Sequence, residues 1–129
     1  EQMREMSASG VVEIASHTYA GHGGSSAAPD IASWTEEQIT ADLSTITAVL
    51  RAERVPMAPA FAYPFGDPSP SLVSAVRKLG FTIAFTTENG LASGTRSLLH
   101  QRRVTVWPGG GGALFLQRID PSFWLEDAE

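Results

Sequence analysis

Strand-like and helix-like segments alternate along this chain, and their order constrains the fold more than any other feature of the sequence. Short runs rich in β-branched and aromatic residues at 11–14, 60–63 and 81–87 predict strands. Residues 33–53 and 69–80 lie between them and carry apolar side chains at helical spacing. Strands joined through helices usually pair in parallel, so we expect an α/β fold in which helices pack outside a parallel sheet.

Local signals mark the ends and faces of these elements. Ser33 and Glu36 fit a capping box, Ser69 followed by Pro70 fits a second helix start, and Gly80 suits the end of that helix. We interpret the acidic residues Glu36, Glu37 and Asp42 as solvent-exposed charges. Residues expected on buried faces are Val11, Val12, Ile14, Ile39, Leu43, Ile46, Leu50, Val73, Val76, Leu79, Phe81, Ile83 and Phe85.

Shorter elements flank this unit. Residues 1–6 predict the end of a helix that stops near Gly10. Residues 103–106 predict a last short strand, and residues 113–118 predict one or two helical turns. The secondary structure of residues 98–100 is ambiguous from the sequence.

The composition fits one soluble globular domain. The chain has 129 residues, 43% of them hydrophobic, and a formal net charge of −5. It has no cluster of basic residues, so nucleic acid is not an expected partner. It contains no cysteine, which excludes disulfides and thiolate metal sites. No apolar run reaches the length of a membrane span.

Two of the three histidines, His17 and His22, follow the first predicted strand. His17 falls at the carboxyl end of the strand, and His22 falls on the glycine-containing loop that leaves it. In parallel α/β folds this edge is where ligands and catalytic groups gather. Neutral imidazoles bind Zn²⁺, and a catalytic zinc commonly takes two histidines and one carboxylate. The alternative is that His17 packs at the strand end and His22 is a solvated loop residue.

The stretch Ser16-His17-Thr18-Tyr19-Ala20-Gly21-His22 resembles the metal-binding motif of the polysaccharide deacetylase (NodB-like) family. The spacing of five from one histidine to the next resembles the branch that deacetylates poly-β-1,6-N-acetylglucosamine and related exopolysaccharides. The stretch Phe61-Ala62-Tyr63-Pro64-Phe65-Gly66 and the strand after it are similar to the family's next motif and strand, in the same order. The resemblance covers most of residues 1–106.

The resemblance implies an irregular TIM-type (β/α) barrel. Residues 1–129 would form a single domain that is the C-terminal portion of a deacetylase catalytic domain. The family's Asp-Asp motif, which supplies the catalytic base and a third metal ligand, does not occur in this sequence. A missing N-terminal half is therefore a candidate partner, beside the polysaccharide substrate. The resemblance also implies a location in the cell envelope or outside the cell.

The resemblance also assigns roles to residues. It implies that His17 and His22 bind a divalent metal, with zinc as the expected ion and nickel or cobalt as alternatives. It implies that the backbone N–H of Phe65 stabilises the oxyanion that forms during hydrolysis. Independently of the resemblance, Thr18 flanks His17, and we expect it to orient a metal ligand through a hydrogen bond. The residues expected to contact substrate are Tyr63, Pro64 and Asp67. The alternatives are that residues 63–66 form a strand-ending turn with aromatic packing and that Asp67 caps this turn.

The sequence departs from the family at several positions. Ala62 stands where the commoner form has an arginine that orients the catalytic aspartate. Leu98-Leu99-His100 matches the family's Leu-x-His general-acid motif in letters, but it follows Pro64 too closely, and we interpret His100 as a surface histidine. If the third metal ligand lies within this chain, the candidates are Asp30, Asp67 and Glu88.

We therefore expect metal-dependent hydrolysis of N-acetyl, or O-acetyl, groups of a polysaccharide, and the resemblance implies an N-acetylglucosamine polymer. Two alternatives stay open. The chain could be a catalytically inactive carbohydrate-binding homologue, or a half-domain that needs an N-terminal partner segment. Aromatic residues that could stack on a sugar are Tyr19, Trp34, Tyr63, Phe65 and Trp107.

Overall fold

The computed structural model of the protein describes residues 1–22, 31–106, 109 and 111–122. Its helices are α1 (Gln2–Ala8), α2 (Glu36–Ala52), α3 (Pro70–Lys78) and α4 (Gly111–Ile119). Its strands are β1 (Ile14–Ser16), β2 (Met57–Ala62) and β3 (Ile83–Phe85). Short 3₁₀ turns lie at Ile31–Ser33, Pro64–Gly66 and Leu98–His100.

The three strands form one parallel sheet in the order β1-β2-β3, which confirms the parallel α/β prediction. Ser16 pairs with Phe61 across β1 and β2, and Ala62 pairs with Phe85 across β2 and β3. Because parallel strands point the same way, all three end at one edge of the sheet. Within the described residues the sheet is open and does not close into a barrel.

The core lies where α2 and α3 pack beside the sheet. Ile39 and Leu43 of α2 are fully buried, as the apolar stripe of that helix predicts. The other buried members of the core cluster are Ile31, Phe61, Tyr63, Leu72, Ala75, Val76, Phe81, Ala84 and Leu99. Helix α1 contributes no buried residue, and Arg4 joins it to the end of α2 through an ion pair with Glu53 at 3.3 Å.

The N-cap of helix α2 lies two residues after the predicted one. Thr35, in an extended conformation, is the N-cap, and its hydroxyl accepts the N–H of Gln38 while the Gln38 side chain accepts the N–H of Thr35. The capping box predicted at Ser33 and Glu36 is therefore wrong in register. Ser33 is unavailable as a cap because it closes the preceding 3₁₀ turn.

The first and last predicted strands are displaced or absent. Val11 is 84% exposed, because residues 10–13 form the turn out of α1 and β1 begins only at Ile14. Residues 102–106 form no strand; pairing on that side of the sheet is limited to an isolated bridge between Phe85 and Gln101. After this bridge the N–H of Arg103 donates to the carbonyl of Glu88, beyond the end of β3.

The buried faces of α3 and β3 also differ from those predicted from the sequence. Ser69 is the N-cap of α3, as predicted, but its side chain makes no capping hydrogen bond. Leu79 is 38% exposed, because Leu72 and Ala75 occupy the buried side of α3 beside Val76. In β3 the fully buried residue is Ala84, whereas Ile83 and Phe85 are half-buried.

Helix α4 confirms the predicted C-terminal helical turns and is longer than expected. It has no buried residue and exposes Phe115 and Leu116. No helix in the described part of the chain is both long enough and apolar enough to cross a bilayer.

Candidate functional site

The carboxyl ends of the three strands bring the two sequence motifs together. Because Ser16 pairs with Phe61, the residues that follow them, His17 and Ala62, lie side by side. The N–H of Tyr63 donates to the carbonyl of Phe85 at 3.0 Å, which ties the end of β2 to the end of β3. The histidine loop and the turn at Pro64–Gly66 therefore share one edge of the sheet.

The imidazole of His17 is held in one orientation. Its Nδ1 lies 2.6 Å from the carbonyl oxygen of Ala62. A carbonyl oxygen can only accept, so Nδ1 carries the proton and donates it, and Nε2 of the neutral ring keeps its lone pair. A hydrogen bond from one ring nitrogen to a backbone carbonyl is the usual support for a histidine that binds metal through the other nitrogen.

The environment of His17 favours its neutral form, which is the form that binds metal. Burial lowers the pKa of His17 from its ordinary value of 6.5, and the nearby charges of His22 and Arg103 lower it further. The hydrogen bond to Ala62 opposes these effects on the pKa but does not outweigh them.

His22 is exposed and lies against His17. The centroids of the two rings are 4.9 Å apart, and the ring planes are tilted by 42°. His22 also stacks on Phe65, with centroids 4.2 Å apart and an angle of 20° between the planes. The Phe65 ring thus limits where the His22 ring can turn.

The separation of the two imidazoles fits shared binding of one ion. At a Zn–N distance of about 2.0–2.1 Å and a tetrahedral angle, two imidazoles on one zinc have ring centroids roughly 5 Å apart. The observed separation of 4.9 Å agrees with that value. The pair therefore suits a divalent ion that accepts nitrogen ligands, provided that further ligands complete the site.

No third ligand joins the pair within the part of the chain that the structure describes. Glu88 is instead paired with Arg96 at 2.8 Å and Arg102 at 3.4 Å, and Asp67 is exposed without joining the histidines. The suggestion that Asp67 or Glu88 completes the site is therefore wrong. Asp30, the remaining candidate, lies outside the described residues.

Phe65 has a left-handed backbone conformation that residues other than glycine rarely adopt, with φ of 55° and ψ of 4°. The N–H groups of Gly66 and Asp67 close the turn by donating to Tyr63 and Pro64. Among the described residues, the N–H of Phe65 has no hydrogen-bond acceptor. A backbone donor that is left free in an ordered turn beside the histidines suits the stabilisation of negative charge.

Gly66 allows this turn to pack against the end of β3. Its φ is +78°, and a Cβ there would lie 2.0 Å from Oγ1 and 2.5 Å from the backbone N of Thr87. The hydroxyl of Thr87 in turn donates to the carbonyl of Phe65 at 3.3 Å. Glycine is therefore required at this position for both backbone conformation and space.

The predicted substrate-contact residues differ in accessibility. The Tyr63 side chain is fully buried, and its hydroxyl donates to the carbonyl of Leu99 at 2.9 Å. Burial raises the pKa of Tyr63 to about 12. Pro64 is also buried, whereas Asp67 and the Phe65 ring are exposed. The structure thus places the side chains of Tyr63 and Pro64 in the core, where they support the turn at Pro64–Gly66.

The remaining candidates lie around the site. Thr18 is half-buried and, among the described residues, donates no hydrogen bond to either histidine. His100 is half-buried, and its ring centroid lies 6.4 Å from that of Tyr63. Tyr19 is 59% exposed. Trp107 lies outside the described residues.

The sequence analysis missed that Asp42 contacts the loop between the two histidines. The prediction that its carboxylate is solvated is wrong, because Asp42 is only 8% exposed and accepts the N–H groups of Tyr19 and Ala20. The available signal was its position three residues after Ile39 and beside Leu43, at the border of the buried stripe of α2.

Comparison with known proteins identifies relatives of this chain. The family model described as polysaccharide deacetylase matches residues 1–84. The poly-β-1,6-N-acetyl-D-glucosamine N-deacetylase of Escherichia coli K12 is 28% identical to this chain over an alignment 116 residues long, gaps included, and the match covers 74% of this chain and 17% of the relative. The corresponding protein of Escherichia coli O157:H7 gives the same identity and coverage.

Three solved structures share the fold. The chain superposes on IcaB from Ammonifex degensii with a TM-score of 0.66 and 30% identity, covering 83% of this chain and 47% of that one. It superposes on the BpsB deacetylase domain of Bordetella bronchiseptica with a TM-score of 0.71 and 25% identity, covering 81% and 47%. The chain superposes on the Streptococcus pyogenes deacetylase PplD, in complex with acetate, with a TM-score of 0.63 and 23% identity, covering 72% of this chain and 41% of that one. The chain spans less than half of each of these structures.

Proposed function

Because this chain belongs to the polysaccharide deacetylase family, we propose that it takes part in metal-dependent removal of acetyl groups from a polysaccharide. The observation that carries the proposal is the His17–His22 pair, whose ring separation of 4.9 Å suits one shared ion. Zinc is the expected metal, with nickel or cobalt as alternatives, since all three accept imidazole nitrogen.

The proposed substrate is a polymer of N-acetylglucosamine, and poly-β-1,6-N-acetylglucosamine is the first candidate. Its support is the named activity of the Escherichia coli relatives, which are 28% identical to this chain. The bond cleaved is an amide, so the products are acetate and a free amine on the sugar. An O-acetyl ester is the alternative bond within the same chemistry.

In this proposal His17 and His22 would hold the ion, and a bound divalent ion would supply polarisation of the acetyl carbonyl and a lower pKa of a water molecule. His17 would bind through Nε2, because its Nδ1 donates to the Ala62 carbonyl. His22 would bind from the loop, where its ring stacks on Phe65. The unbonded N–H of Phe65 would donate to the oxygen that gains negative charge when water attacks the carbonyl carbon. Asp67, which is exposed after the turn, is available to contact the sugar.

We further propose that this chain is the C-terminal portion of an irregular TIM-type barrel domain. Two observations favour a requirement for an N-terminal partner segment. The described residues contain no third ligand for the histidine pair, and their sheet of three parallel strands has open edges. An aspartate from that segment would complete the metal site and a second would act as the base, whereas the segment's strands would extend the sheet.

Acetate release from poly-β-1,6-N-acetylglucosamine oligomers tests the proposal. The assay uses this chain with an Asp-Asp-bearing segment of the family supplied upstream, and added Zn²⁺, Ni²⁺ or Co²⁺. We expect release that requires metal and that falls by at least roughly 100-fold in His17→Ala, because even the outer hydrogen-bond partners of metal ligands account for about 10–100-fold.

His100→Ala is the matched control, because it removes the third histidine without touching the pair. We expect this variant to release acetate as the unaltered protein does. Absence of acetate release with the upstream segment present, for both polysaccharide amides and esters, would sink the enzyme proposal. Retained sugar binding in that case would support the carbohydrate-binding alternative, for which exposed Tyr19 and Phe65 offer stacking faces.

A further inference from the structure

Asp42 bridges a helix to the segment that separates the two histidines. It lies in α2, and its two carboxylate oxygens accept the backbone N–H groups of Tyr19 at 2.8 Å and Ala20 at 2.7 Å. Tyr19 and Ala20 occupy the middle of the stretch from His17 to His22. The path of the backbone between the histidines is therefore fixed from outside the loop.

The Asp42 carboxylate is committed to this contact. It is only 8% exposed, and among the described residues it forms no ion pair with a lysine or arginine. A buried carboxylate without a cation depends on the N–H groups that it accepts. Both of its oxygens are used here, at the short distances of charge-assisted hydrogen bonds.

The contact determines the position of His22 more than that of His17. His17 has its own support, the hydrogen bond from Nδ1 to Ala62 at the end of the neighbouring strand. His22 is exposed, and its ring contacts are His17 and Phe65. Its backbone follows Ala20 by two residues. Fixing the Tyr19 and Ala20 amides therefore limits how far His22 can move from His17.

We propose that Asp42 is a positioning residue of the metal site: by accepting the Tyr19 and Ala20 N–H groups it holds His22 at the separation from His17 that one ion requires. This inference rests on the proposed metal-binding function. Helix α2 supplies neither of the two proposed metal ligands. The inference is that it nevertheless affects metal affinity, through Asp42.

The test compares Asp42→Asn and Asp42→Ala with Glu37→Gln in the chain with the Asp-Asp-bearing segment supplied upstream, because the described residues hold no third ligand for the histidine pair. Asn has nearly the shape of Asp and keeps one accepting oxygen, so it fills the same space and can still accept one of the two N–H groups, whereas alanine can accept neither. Glu37 is an exposed acidic residue of the same helix, so its variant controls for the loss of charge. Zinc affinity is measured by calorimetry, the Co²⁺ complex by its visible absorption spectrum, and metal-free stability by thermal unfolding.

We expect Asp42→Asn to bind zinc about 10-fold more weakly and Asp42→Ala up to about 100-fold more weakly, the range known for residues that orient metal ligands. We also expect a changed Co²⁺ spectrum, because the ligand geometry is altered, and wild-type values for Glu37→Gln. Wild-type zinc affinity and spectrum in Asp42→Asn, whatever its thermal stability, would overturn the inference and leave the metal site intact. Absence of zinc binding in the unaltered protein would overturn the metal site itself.

Discussion

The proton on Nδ1 of His17 is donated to the carbonyl oxygen of Ala62 across 2.6 Å. This hydrogen bond joins the residue that follows β1 to the last residue of β2, and it orients the imidazole without using any other side chain. The backbone carbonyl of Ala62 is available whatever side chain the residue carries. The alanine that replaces the family's arginine therefore leaves this support of His17 unaffected.

Gly66→Ala is expected to destabilise the protein more than Gly80→Ala. Both glycines have left-handed φ values, +78° and +84°, but a Cβ at Gly66 would overlap Thr87, whereas a Cβ at Gly80 would meet no atom within 4 Å. The left-handed conformation costs about 1–2 kcal/mol in each variant, and overlap with backbone adds about 1–3 kcal/mol at Gly66. Urea denaturation measures both, and equal losses would contradict the close approach to Thr87.

Phe65→Asn separates the role of the Phe65 ring from that of its backbone. Asn adopts left-handed conformations more readily than Phe, so the free energy of unfolding is not expected to fall, and the free N–H remains. The stacking on His22 is lost. Such contacts contribute about 0.5–1.5 kcal/mol, so we expect zinc affinity to fall roughly 2- to 12-fold by calorimetry.

Phe65→Tyr keeps the ring and is the control for that experiment. It should retain both the zinc affinity and the stability of the unaltered protein. If Phe65→Asn binds zinc as tightly as Phe65→Tyr, the ring does not hold His22.

Tyr63→Phe tests whether Tyr63 acts in the core. The variant leaves the Leu99 carbonyl without its donor, and we expect a loss of about 1–3 kcal/mol in the free energy of unfolding. Tyr19→Phe, at a residue that is 59% exposed, should change the free energy little. An equal effect of the two variants would contradict the buried hydrogen bond.

The pKa of Tyr63 also predicts how stability changes at high pH. Burial raises the pKa from 10.0 to about 12, so the folded state retains the proton longer than the unfolded state. The contribution of the neutral phenol to stability is present below pH 10 and is lost between pH 10 and 12, at about 1.4 kcal/mol per pH unit. Denaturation measured across that range should show a shallower pH dependence in Tyr63→Phe.

Local patterns predicted the elements that repeat a simple period. The alternation of strands and helices gave the parallel sheet, and the stripe from Ile39 to Leu50 gave the buried face of α2. The order of the two motifs placed His17 and Phe65 on one edge, because successive parallel strands end together. These inferences need only neighbours in sequence and the common direction of the strands.

Contacts between distant residues could not be predicted in the same way. The carboxylate of Asp42 and the N–H groups that it binds are more than 20 residues apart in sequence, and nothing local distinguishes a buried acceptor from a solvated acid at the border of a helix face. The burial of Tyr63 likewise depends on Leu99, which reaches it from beyond β3. The cap at Thr35 was missed because Ser33 offers an equally good local pattern for a capping box. Ser33 cannot cap α2 because it lies in a 3₁₀ turn.

Calorimetric titration with Zn²⁺ tests the central claim most directly. The titrations use the chain with the Asp-Asp-bearing segment supplied upstream, and compare the unaltered protein with His17→Ala, His22→Ala and His100→Ala. We expect one zinc ion to bind the unaltered protein and His100→Ala equally, and binding to be lost in both of the other variants. Zinc binding that survives both His17→Ala and His22→Ala, or no zinc binding in the unaltered protein, would contradict a metal site at this pair.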